Sequence, residues 1–362
     1  MAAEKIKSIF GAYAGKLQVM VDKSADKFAP TWFEKYFDFG IPTSSLSYVT
    51  AIGRSRIEAA ASIVDRDGRT PMRSRPGLEK LTGEVPAIKE MIKMSETDYR
   101  NYLNMQALTV SDETKKAMLL DLMFGDVRRV GDSVGKKIDL MVLEALSTGQ
   151  ITITADNNPD GIVAPTAIDL LMPAANKKTA AVNWATSATA TPITDIVNVV
   201  TAGQDAGKAF AKMLMPRALF IKLAAATETR NMISGFLRIN SKDQITPTLD
   251  QVNEYLQANL LPVIEIVDAV IGVEKDGVIT PVRPFAADNV SFIPDGKLGV
   301  IHNAVAIEQL QPVSQVSYAT FKRALISKWK QNEPFGEYTK AEFNAFPGLE
   351  AIDGIYLLDT TP

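Results

Sequence analysis

The sequence predicts an α+β protein organised around one unusually long helix, and three observations carry that expectation. Apolar residues recur every three or four positions from Leu120 to Ala145, which is the helical period. From residue 263 onward, β-like runs are punctuated by the turn dipeptides Asp276-Gly277 and Asp295-Gly296. Strands and helices are mixed without the regular alternation that would build a parallel sheet.

Residues 1–52 open the chain with eight aromatics between positions 10 and 39, among them Trp32, Phe33 and Phe37, set among charges. Such rings serve either the edge of the segment's own core or an arm that buries them against a neighbouring subunit, since interfaces favour aromatic anchors. Residues 53–100 change character. Two stretches able to form strands, 56–65 and 86–95, flank a polar middle with turn signals at Asp67-Gly68, Pro71, Pro76-Gly77 and Gly83. Arg66, Arg69, Arg73 and Arg75 make the start of that middle basic. A long two-stranded excursion of this kind buries little by itself and is marginal alone. It reads either as a surface hairpin or as a loop that finds a partner surface.

The helix follows over 111–147, with Ser111 or Asp112 to cap its start and Gly149 just past its end. At 1.5 Å per residue it would be roughly 55 Å long. Gly125, Gly131 and Gly135 each weaken it by up to about 1 kcal/mol relative to Ala, so they mark a bend or close packing. After ITITA at 151–155, a helix is expected at 192–205, capped by Thr191 with Pro192 at its first position. A strand and a short helix are expected across 213–235, and a helix from Thr248 to Leu260 capped by Thr248 or Asp250. A β meander then runs over 263–302, and β-like segments return at 316–330 and 354–361.

The 362 residues are 46% apolar and 22% charged, with a net charge of −3, the balance of an ordinary globular chain and not of a general nucleic-acid binder. With no cysteine, disulfides, thiolate metal sites and a cysteine nucleophile are all excluded. The N-terminus lacks the uninterrupted apolar core of a signal peptide, and no stretch reaches the roughly 18 apolar residues of a membrane span. His302 is the single histidine, with neither an orienting acid nor a nucleophile in view. GAYAGK at 11–16 and GQDAGK at 203–208 fall short of a phosphate loop: each has three residues between its glycines, and Leu17 and Ala209 stand where Ser or Thr is needed. No catalytic residue, cofactor site or metal site is expected. For the arginine group an acidic patch on another subunit is favoured over phosphate.

This order of segments resembles the major capsid proteins of tailed bacteriophages with the Hong Kong 97-type fold, most closely the lambda-like capsid protein E group. Local similarity lies in VNWATSATATPITDIVNVV (182–200), with its Trp, Pro and Asp-Ile, and in residues 326–361, where Lys328-Trp329, Glu333-Pro334, Pro347 and Asp353 resemble the family's ending. The resemblance implies an N-terminal arm at 1–52 and an E-loop at 53–100. A P domain with the spine helix 111–147 would cover 101–205, an A domain 206–312, and a return to the P domain 313–362. It implies a non-enzymatic shell protein of the virion, assembled in the host cytoplasm as pentamers and hexamers around double-stranded DNA that is not read by sequence. Arg66, Arg69, Arg73, Arg75, Trp32, Phe33 and Phe37 would make inter-subunit contacts. A separate scaffolding protein, a portal and, in some members, a decoration protein are the implied partners; no membrane is involved. Some members cross-link loops through Lys and Asn, but Lys80, Lys89 and Lys93 have no evident partner, so that chemistry is not carried over. The alternative is an encapsulin-like compartment shell on the same fold, which would enclose protein cargo. An enzyme of unknown chemistry is the third class, and it would behave as a stable monomer with a ligand pocket.

Overall fold

The computed structural model describes residues 17–23, 28–53, 78–106, 112–238 and 246–362. The chain runs through α1 (Leu17–Lys23), α2 (Phe33–Tyr36), β1 (Phe37–Phe39), β2 (Ser47–Gly53), β3 (Leu78–Glu84), β4 (Ala87–Met94), α3 (Glu96–Gln106) and the long α4 (Asp112–Thr148). Next come β5 (Gln150–Ile151), β6 (Ile168–Asp169), β7 (Lys177–Thr179), α5 (Pro192–Asp205), β8 (Lys212–Met215), α6 (Arg217–Ala225), α7 (Thr227–Phe236) and α8 (Leu249–Ala258). The last part holds β9 (Val263–Ile266), β10 (Ile271–Lys275), β11 (Val278–Val282), β12 (Asn289–Ile293), β13 (Gly299–Ala304), α9 (Ile307–Leu310), β14 (Ser317–Phe321), β15 (Ala324–Gln331), β16 (Gly336–Gly348) and β17 (Tyr356–Asp359). The protein is α+β, as expected.

Two cores organise these elements. The first sheet has the order β1-β13-β16-β15-β14, with β4 also paired to β16, and α4 packs on it. Val130, Val134, Ile138, Met141 and Ala145 of the helical stripe are all buried there. Helix α4 has 37 residues, one position displaced from the expected span. Gly149 ends it at φ +74, a left-handed conformation glycine adopts without strain, and its N–H reaches Ala145 O at 2.9 Å. Close packing explains two of its glycines: a Cβ on Gly131 would lie 2.7 Å from the Phe28 ring, and one on Gly135 would touch Thr31. The second sheet has the order β7-β17-β12-β8-β9, and α5 to α8 share a core with it around Trp184 and Phe292. The two meet at the end of α4, where Ser291 Oγ donates to Leu146 O at 2.7 Å and Asn289 Nδ2 to Ser147 O at 2.7 Å. Orphan carbonyls of the last helical turn are thereby satisfied by the second sheet.

The structure revises several local expectations. The expected strand 56–65 lies outside the described residues. A strand not expected from the sequence, β2, runs at 47–53, and its burial alternates strictly at Tyr48, Thr50 and Ile52. Its partner β3 falls in the supposed polar middle, and the expected strand 86–95 is β4, which joins β16. Helix α5 spans 192–205 as expected, but Thr191 makes no side-chain cap. Glu228 of α7 does that work, accepting from Ile193 N at 2.9 Å. Thr248 does cap α8, in a reciprocal capping box with Gln251. The segments group into the two cores as follows. Helix α5, expected with the long helix, packs in the second core, and β17 returns to the second sheet between β12 and β7 while β14 to β16 stay in the first.

Candidate assembly surfaces

Residues 28–39 lie along α4, and their backbone explains how. Ala29 N donates to Asp132 at 2.9 Å and Phe33 N to Asp139 at 2.7 Å, two carboxylates seven residues apart on one helix face. Phe28 stacks on Phe321 with centroids 3.7 Å apart, and Phe33 meets Phe39 edge to face at 5.6 Å. Phe33 and Phe37 are each 2% exposed in the chain's own first core. Both rings pack inside their own chain, beside Trp32. Trp32 is partly buried, with the Lys35 ammonium 4.1 Å from its ring centre. Burial pushes the Asp139 carboxyl up to about 6, against the pull of the Phe33 and Trp32 amides and of Lys322; nearby Glu34 adds to the rise.

The pair β2–β3 stands apart from both main sheets and is rooted by one face only. Tyr48 stacks on Phe346 at 4.8 Å and on His302 at 5.2 Å, and Thr50 Oγ1 lies 2.8 Å from His302 Nε2. Opposite Tyr48 in register is Gly83, where a Cβ would collide with the ring at 2.7 Å. On the other face Val49 is 55% exposed. Residues 54–77 connect the two strands, so Arg66, Arg69, Arg73 and Arg75 lie outside the described residues. Among the described residues the β10–β11 hairpin likewise pairs only with itself, with Val278 and Ile279 exposed.

Several described charged groups at the sites singled out by sequence have structural partners. His302 is held by Thr50, and burial lowers its pKa. Lys208 of the second glycine motif forms a buried ion pair with Asp353, so it points at a carboxylate and not at a phosphate. Lys328 pairs with Glu337 at 3.5 Å in the interior, and the Tyr99 hydroxyl donates to the same carboxylate. Trp329 stacks on Tyr338 at 5.4 Å. In the 182–200 motif, Trp184 Nε1 donates to Asp195 Oδ2 at 2.9 Å, and Asp195 Oδ1 accepts from Ala181 N. That buried bond is the physical reason for a Trp and an Asp at this spacing. Among the described residues there is no cluster of three potential metal ligands, and no helix is long and apolar enough to cross a membrane.

No model of a known protein family and no curated protein matches the sequence. Solved structures do match the fold over nearly the whole chain. A putative capsid protein of a prophage from Escherichia coli CFT073 aligns at TM-score 0.56 with 15% identity, covering 96% of each chain. A phage-related protein of Bordetella bronchiseptica RB50 aligns at 0.52 with 10% identity, over 95% of this chain and 97% of that one. The capsid of cyanophage A-1(L) aligns at 0.50 with 12% identity, over 91% and 92%. The chain therefore has a phage capsid fold, the fold that the sequence resemblance implied.

Proposed function

We propose that this chain is the major capsid protein of a tailed phage, a structural protein of the virion shell. The observation that carries this reading is the coverage: capsid structures match this chain from end to end with more than nine-tenths of both chains aligned. The reading assigns 1–52 to an N-terminal arm, 53–100 to an E-loop, 101–205 with the spine helix α4 to a P domain, 206–312 to an A domain and 313–362 to a return to the P domain. Assembly into pentamers and hexamers supplies the partner surfaces that the hairpin faces lack. At about 25 cal/mol per Å² of apolar area, several contacts of this kind per subunit add up to a stable shell. The arginines at 66–75 would meet acidic groups of a neighbouring copy, and double-stranded DNA would be enclosed without sequence-specific contacts. A separate scaffolding protein and a portal would be its further partners, with a decoration protein as in some members of the resembled group, and the chain would carry no catalysis.

The test is to express the full chain, alone and with a scaffold, and image the products by electron microscopy. Closed icosahedral particles are expected, with DNA inside the particles recovered from phage. Protein cargo in place of DNA would point to a compartment shell. A monodisperse 39.4 kDa monomer under every condition would sink the assembly reading.

A further inference from the structure

The turn between β14 and β15 is built against its own backbone preference. Phe321 and Ala324 face one another in register, so Lys322 and Arg323 alone make the connection, and both are left-handed, at φ 44 and φ 71. Positive φ at both positions of a two-residue hairpin loop is what Asn-Gly supplies without strain. Two long cationic side chains hold that conformation only at a cost in backbone energy. Such a conformation persists where surrounding contacts over-determine it.

Those contacts come from the N-terminal part of the chain. Thr320, Phe321, Lys322 and Arg323 each hold one of its residues, in the same order along both. Thr320 N donates to Gln18 Oε1 at 2.7 Å, and Thr320 O accepts from Gln18 Nε2 at 3.0 Å. The Phe321 ring stacks on Phe28 with centroids 3.7 Å apart. Lys322 Nζ lies 2.7 Å from each carboxylate oxygen of Glu34. The Arg323 guanidinium sits 5.4 Å from the centre of the Phe39 ring. A regular strand sends successive side chains to opposite faces, whereas here Phe321, Lys322 and Arg323 all meet residues 28–39.

We propose that the β14–β15 tip is a strained clasp: Lys322 and Arg323 stay left-handed because their cations grip Glu34 and Phe39, so the turn and the seating of residues 28–39 open and close together. Release of the segment lets the turn relax, and a relaxed turn withdraws both cations. Coupling of this kind is reciprocal. The clasp keeps the rings of Phe28, Phe33 and Phe37 covered, since all three are buried while the segment is seated. It works within one subunit and is independent of the capsid reading.

Reciprocity is what an ordinary surface turn lacks, and amide exchange of the full chain, read by mass spectrometry at one pH, measures it. The double variant Lys322→Asn with Arg323→Gly supplies the unstrained turn and removes both cations. Exchange at 29–39 should rise about tenfold, while 317–328 exchanges no faster than before and α5 to α8 are unchanged. Glu34→Gln removes the ion-pair partner and leaves the turn sequence alone. Exchange should then rise about threefold at 31–39 and at 322–324 alike. An unaltered 29–39 in the double variant would overturn the proposal, because the cations would be holding nothing. Faster exchange at 317–328 in that variant would overturn it as well, by showing that the native turn carried no strain. A tip at 322–324 indifferent to Glu34→Gln would break the coupling.

Discussion

Trp184 and Val49 show the two ways in which this chain uses apolar residues. Trp184 is 1% exposed, hydrogen-bonded through its indole N–H, and enclosed by α5 and the second sheet of its own chain. Val49 sits on a two-stranded pair whose inner face packs on Phe346 and His302 while its outer face meets solvent. The first environment is complete in one subunit; the second is half complete. Substitutions in the two regions should therefore separate subunit stability from assembly.

The largest effect belongs to the complete environment. Trp184→Ala leaves a large cavity and takes the indole donor from the buried Asp195 Oδ2, and should lower unfolding stability by about 3–5 kcal/mol in denaturant titrations. A loss under about 1 kcal/mol would mean that the second core is much looser than its packing indicates.

Next is Asp139, which ties the segment 28–39 to α4. Its folded-state pKa, about 6, lies above the ordinary 3.8, so the folded state prefers the protonated form. Stability from this group is greatest below about pH 4 and falls as pH rises through about 6, by on the order of 3 kcal/mol in total. Asparagine keeps an acceptor for the Phe33 amide and carries no charge. Asp139→Asn should thus flatten the stability profile between about pH 4 and 7 and be the more stable protein at about pH 7.5. Equal pH slopes for the two proteins would show that the carboxyl is ordinary.

The glycines of α4 sharpen the comparison within one helix. A Cβ added at Gly125 would meet nothing within 4 Å, whereas one at Gly131 would fall 2.7 Å from the Phe28 ring. Gly125→Ala should raise the melting temperature, through a helix-propensity gain of up to about 1 kcal/mol. Gly131→Ala should lower it, because displacing Phe28 costs about 1–3 kcal/mol, more than the propensity gain.

These contrasts also explain what could be read in the sequence. Helix α4 was legible because its stripe repeats over many turns, and α8 because Thr248 and Gln251 satisfy one another locally. Strand β2 was less legible, because Val49 and Ala51 on its outward face are as apolar as the inward Tyr48 and Ile52, so SYVTAIG carries no plain polar alternation. Other features depend on distant partners. Glu228 caps α5 from 35 residues away, and β17 slots between β12 and β7 through pairings that no local pattern encodes. The fates of Phe33 and Phe37 were open for the same reason, since ring composition suits a core edge and an interface equally. The resemblance to capsid proteins was carried by the order of segments and by the stretches 182–200 and 326–361; within these, Trp184, Asp195, Lys328 and Asp353 have buried partners that supply a physical cause.

The smallest effect on the isolated subunit should come from Val49. Its outward side chain touches no core of its own, so Val49→Ser should change unfolding stability by no more than about 0.5 kcal/mol. If a neighbouring copy covers the same face in a shell, as the proposed function expects, replacing an apolar contact by a hydroxyl removes burial worth about 1 kcal/mol at every copy. Repeated around a closed particle, that small loss should shift the concentration needed for assembly while the monomer's melting curve stays where it was. Sedimentation at a series of protein concentrations measures the first quantity and calorimetry the second. A variant that melts early yet assembles normally would place Val49 in the subunit's own stability and erase the distinction between the two environments.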